Sequence, residues 1–233
     1  MNFSLREYRV KATAVACWYL PLLVIAVSCA HQSPGLSPRV PAGHLRQEIV
    51  ADLDGDGRTE TVALAPEQPL SVSVWRSGRM LWQGVPAEWK PWKVLAGDLD
   101  GDGLSEIVVA VYKPTRLFPE PHNCVFVYGW DGSTAYPKWL GSHLSKPCVD
   151  VALWRREGRC SLVSVEIARS GKSVVGVYEW CGFGFVGYWQ SGEMEQGALD
   201  TAADGRVVYA ERSGKRYTLK EADGSYRLAL QTS

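Results

Sequence analysis

The stretch Asp98-Leu99-Asp100-Gly101-Asp102-Gly103-Leu104-Ser105-Glu106 recurs 46 residues earlier as Asp52-Leu53-Asp54-Gly55-Asp56-Gly57-Arg58-Thr59-Glu60. Each copy runs into an apolar, strand-like segment. Carboxylates at loop positions 1, 3, 5 and 9, with glycines at 4 and 6, can wrap hard oxygen ligands around one cation, because glycine tolerates the backbone angles such a loop needs. Calcium (Ca2+) is the natural occupant. A pair of polar Asp-Gly hairpin turns is the plainer alternative. Close carboxylate pairs repel by about 1 kcal/mol even in water, so an uncompensated loop of this kind is disfavoured. A repeat of this length also points to a solenoid, propeller or array.

Residues 1–29 are set apart from the fold. Arg6, Arg9 and Lys11 precede an uncharged stretch over 12–27. That stretch is short for a spanning helix and ends in small residues, as a cleaved export signal does. Ala26-Val27-Ser28-Cys29 resembles the lipobox of bacterial lipoproteins, which implies acylation at Cys29 and a membrane partner through the lipid. Ordinary signal cleavage with secretion, or an uncleaved anchor, are the alternatives. Residues 30–44, with Pro34, Gly35, Pro38, Pro41 and Gly43, read as a flexible tether.

The remaining residues, 45–233, suit one domain. Balanced charge, 25 basic against 25 acidic residues, gives no footprint for nucleic acid. Of six cysteines, Cys17 and Cys29 fall in the leader, which leaves Cys124, Cys148, Cys160 and Cys181. An even number in an exported chain permits two disulfides. A hairpin turning at Ser170-Gly171 sets Cys160 opposite Cys181, which favours that bridge and leaves Cys124 with Cys148. Four small buried thiols are the alternative.

Short runs rich in Val, Tyr, Trp and Leu, bounded by Gly, Ser, Asp and Pro, predict strands throughout. Arg76-Ser77-Gly78, Asp131-Gly132, Cys181-Gly182 and Asp223-Gly224 mark the turn between third and fourth strands of successive units. Repeats therefore fall at about 45–91, 92–143, 144–194 and 195–233. The predicted fold is an all-β propeller of about four four-stranded blades. A closed ring, an open arc and half of a dimeric ring all satisfy this pattern.

Asp-Leu-Asp-Gly-Asp-Gly-x-x-Glu before a Val-rich strand resembles the FG-GAP/VCBS repeat of integrin-type propellers. That resemblance implies calcium held by Asp52, Asp54, Asp56, Glu60 and the Arg58 carbonyl, and by Asp98, Asp100, Asp102, Glu106 and the Leu104 carbonyl. In the third repeat Asp150 is followed by Ala152 and Trp154 where ligands should stand. The fourth keeps only Asp200, Asp204 and Gly205, so two calcium sites are expected.

On the face away from these loops the sequence gathers Trp89, Trp92, Arg116, Phe118, His122 and His143, a mixture suited to protein or glycan ligands. They equally serve as core wedges between blades. His122 and His143 stand alone in sequence and are expected at the surface. No nucleophile elbow, zincin or phosphate-loop motif occurs. A non-enzymatic binding module at the bacterial cell envelope is the leading expectation, with an envelope hydrolase or lyase using the same face as the alternative.

Overall fold

A computed structural model describes residues 46–231, apart from 142, 157, 203 and 223. The leader with Cys29, the tether and Asp223 lie outside the described residues. Among the described residues sixteen strands form four antiparallel sheets, each a meander of consecutive strands. The first holds β1 (Gln47–Ala51), β2 (Glu60–Leu64), β3 (Leu70–Arg76) and β4 (Arg79–Pro86). The second holds β5 (Lys93–Gly97), β6 (Glu106–Lys113), β7 (His122–Trp130) and β8 (Ala135–Leu140). The third holds β9 (Cys148–Arg156), β10 (Arg159–Ile167), β11 (Ser173–Trp180) and β12 (Phe185–Gln190). The fourth holds β13 (Gly197–Thr201), β14 (Val207–Glu211), β15 (Arg216–Ala222) and β16 (Ser225–Leu230). The architecture is all-β, in four-stranded sheets of propeller type.

Strand alternation explains why the middle strands are apolar throughout. In β6, Ile107, Val109 and Val111 pack toward the first sheet with Val62, Leu64, Val72 and Val74, while Val108 and Ala110 pack toward the third with Leu162 and Tyr178. Successive side chains leave opposite faces of a strand, so a sheet covered on both sides needs apolar residues at both parities. A third cluster, with Val163, Val175, Tyr209 and Leu219, joins the third sheet to the fourth. Among the described residues the apolar clusters thus join the sheets in chain order, and none links the fourth to the first.

The first strands β1, β5, β9 and β13 contact one another in succession. With the β13–β14 turn they line a cavity of about 640 Å³ whose walls include Ile49, Leu95, Leu153 and Arg155. As edge strands they carry unpaired backbone groups, which neighbouring sheets satisfy with side chains. Gln47 accepts from the Val94 N–H (3.2 Å) and donates to the Trp92 carbonyl (3.0 Å). Asp150 accepts from the Leu199 N–H (2.8 Å) and from Lys93 Nζ (2.7 Å).

Two expectations are corrected here. The third-repeat loop does not begin at Asp150, which lies inside β9; that strand runs on to Arg156, which pairs with Arg159 of β10. Among the described residues neither expected disulfide forms, and Cys124, Cys148, Cys160 and Cys181 are free. The β10–β11 register pairs Leu162 with Tyr178 and Ile167 with Ser173. Its loop is closed by Ala168 N to Lys172 O and Gly171 N to Ala168 O, both 2.9 Å, with Gly171 at φ 82°. This loop has three residues, one more than a Ser170-Gly171 turn. A one-residue slip reverses the faces: Cys160 is buried between the second and third sheets, and Cys181 is exposed beyond the end of β11. Cys124 and Cys148 likewise lie in different clusters, on either side of the second sheet.

Candidate metal centres

The two acidic loops connect β1 to β2 and β5 to β6, and each folds around its own first aspartate. Asp52 accepts from the N–H groups of Gly55 (2.7 Å) and Gly57 (2.9 Å); Asp98 accepts from those of Gly101 (2.6 Å) and Gly103 (2.9 Å). All four glycines have positive φ, between 72° and 88°, where a side chain would be strained. Glu60 and Glu106, at the start of the second strands, accept from the N–H groups of Leu53 (2.9 Å) and Leu99 (2.7 Å). That bond closes the loop and turns the other carboxylate oxygen toward the aspartates. Ligand atoms of Asp52, Asp54 and Glu60 lie within 4.8 Å of one another, as do those of Asp98, Asp100 and Glu106. Asp56 and Asp102 bond the N–H groups of Arg58 and Leu104 at 2.8 Å.

Each set holds a cation supplied by the chain. At the end of β3, Arg76 reaches Asp54 (Nη2 to Oδ2, 2.6 Å), Asp56 (Nη1 to Oδ2, 3.2 Å) and Glu60 through Nε. From β8, Lys138 Nζ reaches Asp100 (2.5 Å) and Glu106 (2.8 Å). The bond to Glu60 leads in raising the Arg76 guanidinium above its ordinary range. Burial pulls the Lys138 ammonium down, but its two carboxylate partners outweigh it and leave it raised. Burial raises Glu106, with Lys138 opposing, while the Arg58 N–H holds Asp56 low. Neither Arg76 nor Lys138 was expected from the sequence. The signal available was position, since turns between third and fourth strands lie at the same end of a sheet as the acidic loops.

The corresponding end of the third sheet carries an ion-pair cluster among the described residues. Arg156 bonds Glu179 (2.8 Å), Glu221 (2.8 Å) and the Tyr226 hydroxyl (2.6 Å), and Arg159 also pairs with Glu179. In the fourth sheet Asp204 pairs with Arg206 and Asp200 with Arg216. The chemistry of the first two loops, several carboxylates and an available carbonyl, fits a hard divalent cation. Asp54 Oδ1, buried and without a hydrogen-bond partner, is consistent with that fit.

On the opposite face the six aromatic and cationic residues divide. Trp92 is buried between sheets, and Trp89 packs edge-on against Phe126 beneath Lys113 Nζ. Phe118, His122 and His143 come together: the imidazoles stack with centroids 4.2 Å apart and planes within 4°, and Phe118 stands edge-on to both. Contrary to expectation His122 is buried, with Nδ1 against the Glu120 carbonyl at 2.7 Å. Arg116 is exposed on the same loop.

Compared in sequence with curated proteins, the chain matches none. The family model described as FG-GAP-like repeat matches residues 52–109, from the first acidic loop through the second and into β6. The matched segment is similar to an FG-GAP-like repeat, and the four antiparallel four-stranded sheets fit a domain of β-propeller type.

Proposed function

We infer that the chain is an exported, calcium-binding interaction module, tethered by lipid on Cys29 at the bacterial cell envelope, and not an enzyme. The observation that carries the calcium reading is the duplicated cage: two loops of the same internal bonding, each bringing three carboxylate ligand atoms within 4.8 Å. Asp52, Asp54, Asp56, Glu60 and the Arg58 carbonyl would hold one ion, and Asp98, Asp100, Asp102, Glu106 and the Leu104 carbonyl the other. Calcium there supplies charge neutralisation and cross-links a first strand to a second; it has no reactive role. A partner protein or glycan would meet the opposite face near Arg116, Phe118 and His143. Support for a binding role comes from Phe118, His122 and His143, which stack into one aromatic cluster, with exposed Arg116 on the same loop as Phe118.

Scanning calorimetry of the full chain in calcium and in chelator tests the metal. One site at a hundredfold excess over its dissociation constant stabilises by about 2.7 kcal/mol. For a domain of this size the melting temperature then rises by roughly 5–10 °C. Identical melting curves in the two conditions refute the calcium reading. Intact-mass analysis of the membrane fraction tests the anchor, because a mature chain without lipid mass on Cys29 refutes it.

A further inference from the structure

We propose that Arg76 and Lys138 are tethered counter-cations that hold the two acidic loops together without metal and compete with calcium, so that the loop at 98–106 takes the ion before the loop at 52–60. The proposal rests on the calcium reading above and concerns residues outside the repeat's own ligand pattern.

The two loops are nearly identical in sequence and bonding, yet their cations differ in three ways. Arg76 contributes three nitrogens, each assigned to a different carboxylate, whereas Lys138 contributes one nitrogen shared by two. A guanidinium is weakly hydrated and fixed in a fork; an ammonium is strongly hydrated on a flexible stem, so water compensates its release more fully. Anchorage differs too. Trp75 pairs with Thr61, which sets Arg76 beside Glu60 on the adjacent strand, while Lys138 on β8 reaches across β7 to Glu106 on β6.

The third difference is charge. Position 7 is Arg58 in the first loop and Leu104 in the second, and Arg58 Nε lies 3.4 Å from Asp56 Oδ2. The first loop thus sets two cations against four carboxylates and the second sets one against four, which leaves 98–106 the more negative by one charge. A divalent ion therefore meets stronger attraction and a more readily displaced competitor at 98–106.

Calcium titration of the full chain by calorimetry, at low ionic strength, tests the order and the competition. The wild type should bind in two classes, the tighter abolished by Asp100→Asn and the weaker by Asp54→Asn. Arg76→Gln should tighten the weaker class at least tenfold, and Lys138→Gln should tighten the other by a smaller factor. In chelator the same two substitutions should lower the melting temperature. A merely structural role lowers it without tightening calcium. Arg76→Lys keeps a charge but loses the fork and should fall between wild type and Arg76→Gln, which covers poor folding of the glutamine variant. Two bound ions with affinities unchanged or weakened by these substitutions, or a tighter site at 52–60, overturn the proposal and leave the calcium reading standing. No calcium uptake in the wild type or either glutamine variant overturns both.

Discussion

Asp150→Ala should destabilise the domain by about 3 kcal/mol, because one carboxylate joins three sheets. Its Oδ2 accepts from the Leu199 N–H on β13 at 2.8 Å, and its Oδ1 accepts from Lys93 Nζ on β5 at 2.7 Å and from the Val151 N–H at 2.8 Å. Leaving a part-buried amide without an acceptor costs about 1–3 kcal/mol. The Lys93 pair retains some solvent access, 23% and 14% of the two side chains, so it contributes only about 1 kcal/mol. In a domain of this size the sum corresponds to a fall of roughly 6–12 °C in melting temperature. Lys93→Met should cost clearly less, because the bond to Leu199 survives. Asp150→Asn, which keeps an acceptor and loses the charge, should fall between them. Urea unfolding of the three variants, with the Lys93→Met/Asp150→Ala double mutant to isolate the coupling, measures each contribution. A loss below about 0.5 kcal/mol for Asp150→Ala, well under the cost of one orphaned amide, refutes the idea that these side-chain links hold the inner strands together.

Two further outcomes follow from the same structure. Burial, with stacked His122 adding to it, lowers His143 below its ordinary value, so the unfolded chain binds the proton more readily. Stability should then be complete above about pH 6.5 and fall as the pH drops below that value toward the lowered native one. His143→Gln should flatten that slope in urea unfolding between pH 5 and 8, and stability that rises on acidification contradicts the stacked pair. Brief alkylation of the native protein followed by peptide mapping should mark Cys181 and spare Cys124, Cys148 and Cys160. Burial pushes the Cys124 thiol up to about 11 and raises the other two as well. Rapid labelling of any of these three, or recovery of Cys160 linked to Cys181, contradicts the register found here.

The acidic loops were legible in the sequence because everything that shapes them is local. Asp52 bonds Gly55 and Gly57, Glu60 bonds Leu53, and the second loop repeats these bonds within nine residues. The four-sheet plan was equally readable, since strand alternation and Gly turns are short-range properties of the chain. What the sequence left open depends on register and on contacts between sheets. One extra residue in the Ser170-Gly171 turn moved Cys160 and Cys181 to different environments and removed a disulfide that spacing had favoured. Asp150, which looked like the remnant of a third cation loop, serves as a link between inner strands. Arg76 and Lys138 reach carboxylates up to 38 residues away, and only the packed sheets bring those charges together. Local bonding is encoded in neighbouring residues, whereas the partner of a long charged side chain is set by strand register and by which sheet edges meet in space.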